Sequence, residues 1–90
     1  PGIDQLLETP PLVVYVNPRC SHCAKARAWL DQRGIVYEAR DVRLPPYRQE
    51  FVALGGRGVP LFVARGERLQ GFSPPELSAF LERSSIRAHD

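Results

Sequence analysis

Two cysteines occur in this 90-residue chain, and they fall together as Cys20-Ser21-His22-Cys23. Thiols at this spacing can close a disulfide and reopen it, which suits two-electron thiol–disulfide exchange. The pair stands between an apolar run at 12–16 and a segment with helical periodicity from Cys20 to Gln32. A helix start offers unpaired N–H groups and a partial positive charge, worth roughly 0.3–1 kcal/mol to a nearby anion. Both favour a thiolate, the species that attacks disulfides. The placement predicts Cys20 as the exposed nucleophile. Cys23, one turn further and on the apolar stripe of the helix, is expected to be shielded and to resolve the mixed disulfide.

Arg19, His22 and Lys25 bring positive charge to this locus. His22 has two readings. Protonated, it would stabilise the reduced form and make the pair a stronger oxidant. Otherwise it is an exposed polar residue of little effect. A zinc site usually takes four ligands, whereas the chain offers two Cys and two His, one of them His89 in the tail, so no metal is expected.

The elements that must position these residues follow from periodicity. The run at 12–16 is apolar and β-branched, as a strand buried on both faces is. Asn17-Pro18 ends it. Cys23, Ala26, Trp29 and Leu30 share one stripe of the first helix, with Gly34 as its stop. Residues 35–40 read as a second strand. Pro45-Pro46 opens a second helix carrying Tyr47, Phe51 and Leu54, and Gly55-Gly56 ends it. Two short strands, 61–64 and 67–70, flank a hairpin turn at Arg65-Gly66. Ser73-Pro74-Pro75-Glu76 has the form of a capping box with proline at the first helical position, followed by Leu77, Phe80 and Leu81.

The order is β-α-β-α-β-β-α, an α/β chain forming one domain over 1–90. Its core spans about 12–83. Residues 1–11 form a lead-in whose apolar patch at Ile3, Leu6 and Leu7 suggests a helical turn, and 84–90 form a polar tail. Hydrophobic residues make up 43% and charged ones 24%, as in ordinary globular chains rather than disordered ones. A net charge of +2, with eleven arginines spread without a run, argues against a nucleic-acid partner. No stretch approaches the roughly 18 apolar residues of a membrane span, so no membrane partner is expected. A monomer is expected, in the cytoplasm, or in the bacterial periplasm if a leader preceded Pro1.

Four features in order and spacing carry a resemblance: Cys20-Ser21-His22-Cys23, Gly34-Ile35 with Asp41-Val42, Gly58-Val59-Pro60, and Gly71-Phe72-Ser73-Pro74. From about Leu12 to Leu81 the chain resembles the glutaredoxin branch of the thioredoxin superfamily. The resemblance implies a thioredoxin-like fold, a central four-stranded mixed sheet flanked by helices. It implies a thiol–disulfide oxidoreductase that reduces protein disulfides or glutathione mixed disulfides, with glutathione as electron donor.

By the same resemblance, Pro60 follows a cis bond, and the Val59 backbone meets an extended substrate peptide. Arg57 matches a position that contacts the glycine carboxylate of glutathione, for which paired guanidinium hydrogen bonds are suited. Gly71, Phe72 and Ser73 fall where the rest of glutathione is held: Gly71 admits a close backbone, and the following helix start can bind a carboxylate. Ser73 is expected chiefly as a helix cap, and Phe72, Trp29 and Tyr15 chiefly as core. Departures from the family pattern are Ser21 and His22 within the motif, Asn17 in place of Lys, and Gly58 in place of Thr. Gly71-Phe72-Ser73-Pro74 is closer to small redoxins recharged by thioredoxin reductase, which keeps that donor open. An envelope oxidase or isomerase, and a carrier of a [2Fe–2S] cluster held by the first Cys and glutathione, are the further readings.

Overall fold

In the computed structural model, which describes residues 11–86, the apolar run forms β1, Val13–Val16, with all four side chains buried. There follow α1 (Ser21–Gln32), β2 (Glu38–Asp41), α2 (Pro45–Ala53), β3 (Leu61–Ala64), β4 (Glu67–Gln70) and α3 (Pro74–Arg83). The sheet order is β2-β1-β3-β4. β1 and β2 are parallel, joined through α1, and the other two pairings are antiparallel. This is the thioredoxin-like arrangement expected from the sequence.

Successive side chains of a strand point to opposite faces, so β1 feeds two cores. Val14 and Val16 join Phe62 and Ala64 of β3, Cys23, Ala26 and Leu30 of α1, and Leu77, Phe80 and Leu81 of α3. On the other face Val13, Tyr15 and Leu61 meet Tyr47, Phe51 and Leu54, the expected stripe of α2, all three only half-buried. α2 is fastened by polar bonds as well. The Tyr15 hydroxyl donates to Glu50 Oε1 at 2.8 Å, and Arg40 Nη1 donates to the same oxygen at 2.7 Å. Tyr15 is therefore buried with its hydroxyl satisfied, as a buried phenol must be.

All three helices end in one motif. The N–H a few residues past each helix bonds back five positions: Ile35 N–H to Leu30, Gly56 N–H to Phe51 and Ile86 N–H to Leu81, at 2.9–3.0 Å. Such an end needs a left-handed residue just before it. Gly34 (φ 66°) and Gly55 (φ 76°) supply it freely, whereas α3 uses Ser85 (φ 57°). The first of these ends explains a difference at β2. Ile35 belongs to the α1 terminus and tucks into the core, so the strand starts at Glu38 rather than 35.

The third end corrects the expected tail. Ser84 is 1% exposed and Ile86 packs on the core, because the turn at Ser85 folds the chain back onto Leu81. Arg65 Nε reaches across to donate to the Ser84 carbonyl at 2.5 Å. Arg65 and Gly66, both at positive φ, form the expected hairpin turn. Residues 87–90 and the apolar patch at Ile3, Leu6 and Leu7 lie outside the described residues. Among the described residues no helix is long and apolar enough to cross a membrane.

Candidate active site

The redox pair is set by the turn that follows β1. The Asn17 carbonyl accepts from Cys20 N–H at 2.9 Å, and its side-chain oxygen accepts from Arg19 N–H at 2.9 Å. Asn17 thus folds the turn through its own backbone and side chain. The turn leaves Cys20 extended (φ −92°, ψ 117°) as the N-cap of α1. Its sulfur accepts a hydrogen bond from the Cys23 N–H at 3.2 Å. A cysteine here does what Ser or Asp does at other helix starts.

Both thiols are free, Cys20 half-exposed and Cys23 only 2% exposed. Burial pushes the Cys23 thiol up to about 11, its hydrogen bond with Cys20 acts in the same direction, and a backbone bond with Asn17 opposes them. Of the two sulfurs, Cys20 is the one that a substrate or a cluster can meet. Among the described residues, no three His, Cys, Asp or Glu side chains converge as a metal site.

A second loop closes over the first. The Val59–Pro60 peptide is cis, and the Cys20 thiol donates to the Val59 carbonyl at 3.7 Å. The Pro60 carbonyl accepts from Gly71 N–H at 2.9 Å. Cys20, Val59, Pro60 and Gly71 therefore form one bonded chain across three loops. Gly71 sits at φ 83°, with nothing within 4 Å of the place a Cβ would take. Backbone conformation requires the glycine, and open space lies beside it.

The remaining predicted residues divide. Phe72 meets Trp29 edge-on, with ring centroids 6.4 Å apart, and packs on the core. His22 is exposed, and among the described residues it bonds to neither sulfur. Arg57 lines a cleft of about 320 Å³ with Gly55, Leu61, Arg68 and Gln70, which does not include Cys20. Ser73 is the N-cap of α3, but the expected capping bond is absent: its side chain makes none, and its carbonyl accepts from Leu77 at 2.8 Å. Pro74-Pro75 removes the N–H at the first two helical positions, and the Glu76 N–H, the donor a capping box uses, makes no bond to the Ser73 side chain.

Two site residues were not anticipated. Gln70 donates to the Gly58 carbonyl at 2.5 Å and accepts from Arg57 N–H at 3.1 Å, holding the loop before Pro60. Nothing in the sequence marks an exposed Gln at a strand end as a brace. Arg27 lines a small cavity, about 70 Å³, with Val16, Asn17, Pro18, Cys20, Cys23 and Ala24. Its Nε donates to Tyr37 at 3.2 Å. It lies one helical turn after Cys23, and that i+4 spacing is a signal the sequence does carry.

The sequence profile of the glutaredoxin family matches residues 12–69, well over half the chain. The chain belongs to the glutaredoxin family. As a domain it is a thiol–disulfide oxidoreductase of that family. Among solved structures it is similar to the thioredoxin-like protein BC3987, with 26% identity and TM-score 0.72, covering 78% of this chain and 99% of that one. It is also similar to the glutaredoxin-like NrdH-redoxin of Escherichia coli, with 25% identity and TM-score 0.68, covering 76% and 91%. A 35-residue stretch is 40% identical to the global transcriptional regulator Spx of Listeria innocua and Listeria monocytogenes. That stretch is 39% of this chain and spans only 27% of the regulator's length. Within the glutaredoxin frame, the bonded chain from Cys20 to Gly71 joins the CxxC motif to the loop of the cis proline.

Proposed function

We propose that this domain reduces protein disulfides and is recharged by a protein reductase of the thioredoxin-reductase type rather than by glutathione. The Cys20 thiolate attacks one substrate sulfur, forming a mixed disulfide and expelling the other sulfur as a thiolate. Cys23 gives up its proton, attacks Cys20 Sγ and releases the second substrate sulfur. Two electrons pass to the substrate, leaving a Cys20–Cys23 disulfide for the donor to reduce. An extended substrate segment pairs with the backbone at Val59. Such reductive chemistry belongs in a reducing compartment, the cytoplasm.

The start of α3 carries the choice of donor. A carboxylate held at a helix start needs backbone N–H groups. Of the four offered by residues 73–76, Pro74 and Pro75 delete two. Arg57, the other expected glutathione contact, faces a cleft without Cys20. The NrdH-redoxin to which the chain is similar is described as having a thioredoxin-like activity profile. A second reading, glutathione-linked reduction of mixed disulfides, is favoured by the open space beside Gly71.

Insulin reduction driven by NADPH decides between them, with thioredoxin reductase in one arm and glutathione plus glutathione reductase in the other. The first arm is expected to turn over, and Cys20→Ser and Cys23→Ser to abolish it. Faster turnover in the glutathione arm would establish the second reading. No turnover in either arm would refute both. A Pro74→Ala/Pro75→Ala variant, with its N–H groups restored, is expected to gain activity in the glutathione arm.

A further inference from the structure

Four arginines line two clefts that do not contain Cys20, one bordering the turn before it and the other the loop before Val59. The first cleft, about 410 Å³, is lined by Asn17, Val42, Arg43, Arg48, Phe51 and Val52. Asn17 is the residue whose carbonyl holds Cys20 in place. The second cleft contains Arg57 and Arg68, with Arg57 on the loop that leads into Val59. The two adjoin: the Phe51 ring of the first packs against Gly56, the neighbour of Gly55 in the second.

Neither cleft is lined by an acidic residue. Nearby carboxylates are already engaged: Asp41 pairs with Arg43, and Glu50 and Glu38 with Arg40. Among the described residues Arg48, Arg57 and Arg68 have no ion-pair partner. The first cleft also has an apolar lining, Val42, Phe51 and Val52, the last 67% exposed. Unpaired charge of one sign beside exposed aliphatic area fits a peptide better than a polyphosphate backbone, which needs cations but no apolar floor.

The geometry points to a docking surface for an acidic peptide segment: the partner carries its reactive disulfide within an extended stretch that has Asp or Glu on the α2–β4 side and an apolar residue over Val52. This rests on the proposed reduction of protein disulfides and adds the kind of sequence reduced. Complementary charge of this sort speeds encounter more than it tightens the complex, and it weakens with salt.

The test uses three peptide disulfides of equal length, flanked by Glu, by Gln or by Lys. Each is mixed with the reduced protein in single-turnover stopped flow, so the donor does not enter. At low salt the Glu peptide is expected to react at least fivefold faster than the Gln peptide, with the Lys peptide slowest. The spread should collapse at about 0.5 M NaCl. Arg48→Glu/Arg68→Glu should invert the Glu-to-Lys order, while Arg33→Glu/Arg83→Glu, the same charge change at residues that line neither cleft, should preserve it. Equal rates for the three peptides would overturn the docking surface while leaving the reductase reading intact. Tighter binding of a labelled single-stranded oligonucleotide than of the Glu peptide would also overturn it. No reaction with any peptide would instead refute the proposed reduction, and this inference with it.

Discussion

At about pH 7.5 the two cysteines of the reduced protein should react with alkylating agents as differently as a surface and a core residue. Cys23 is 2% exposed, and its thiol is pushed up to about 11 by burial first and by the bond with Cys20 second. A thiol with that value is ionised about once in 3,000 molecules at this pH. The closed packing around the Cys23 sulfur withholds even that fraction from a reagent, whereas Cys20 is half-exposed. Brief iodoacetamide treatment, followed by digestion and fragmentation of the 20–25 peptide, should show the label on Cys20 alone. The same shift makes stability depend on pH. A thiol whose folded value lies above its unfolded value near 9 leaves stability whole below pH 9. That contribution is then lost as pH rises through about 11, by up to roughly 3 kcal/mol. Urea titrations of the reduced protein should show the decline, and Cys23→Ala should lack it. Labelling of Cys23 within tenfold of the Cys20 rate in the native protein at about pH 7.5 would refute the reasoning.

Other consequences concern the scaffold. Tyr15→Phe removes the hydroxyl that bonds Glu50 and should cost about 1 kcal/mol in urea unfolding, discounted because Glu50 is half-exposed. The Glu50 carboxyl is held below its usual range by Tyr15 first and Arg40 second. Its contribution is present above the ordinary carboxylate value and lost as pH falls through the lowered one, and Tyr15→Phe should flatten that acid limb. Ser85→Gly should raise stability by about 1 kcal/mol, since it relieves a left-handed residue without removing a side-chain bond of the described structure. Gly56→Ala should lower it by about 1–3 kcal/mol, because the Phe51 ring occupies the space its Cβ would need. Thermal unfolding of both variants checks the two signs.

Where local signals agreed, the fold was legible. The β-branched run of β1, the two glycine helix ends, the Arg65-Gly66 turn and the paired prolines opening α2 and α3 all point the same way locally and globally. The misses have a common cause, a residue whose partner is distant in sequence or whose turn breaks its usual preference. Ser84 looks like tail, because only a left-handed Ser85 and a reach from Arg65 place it inside. Ser73-Pro74-Pro75-Glu76 looks like a capping box, but the Ser73 side chain does not meet the Glu76 N–H that such a box uses. Cys20 and Cys23 could be placed from spacing alone. Arg57 could not, since its position depends on Gln70, thirteen residues away.

The contact between Cys20 and Val59 depends on the proton that the sulfur carries. A sulfur can donate to the Val59 carbonyl only while it carries a proton. Once that proton leaves, or the sulfur joins Cys23, the carbonyl has lost its donor and is free to accept an N–H from an incoming chain. On the proposed pairing at Val59, a peptide N–H takes up the place the thiol leaves at that oxygen. By thermodynamic reciprocity, whatever the ionised sulfur contributes to peptide affinity, a bound peptide contributes equally to ionisation. The Val59 carbonyl is thus engaged by the resting thiol and released once the sulfur loses its proton or joins Cys23.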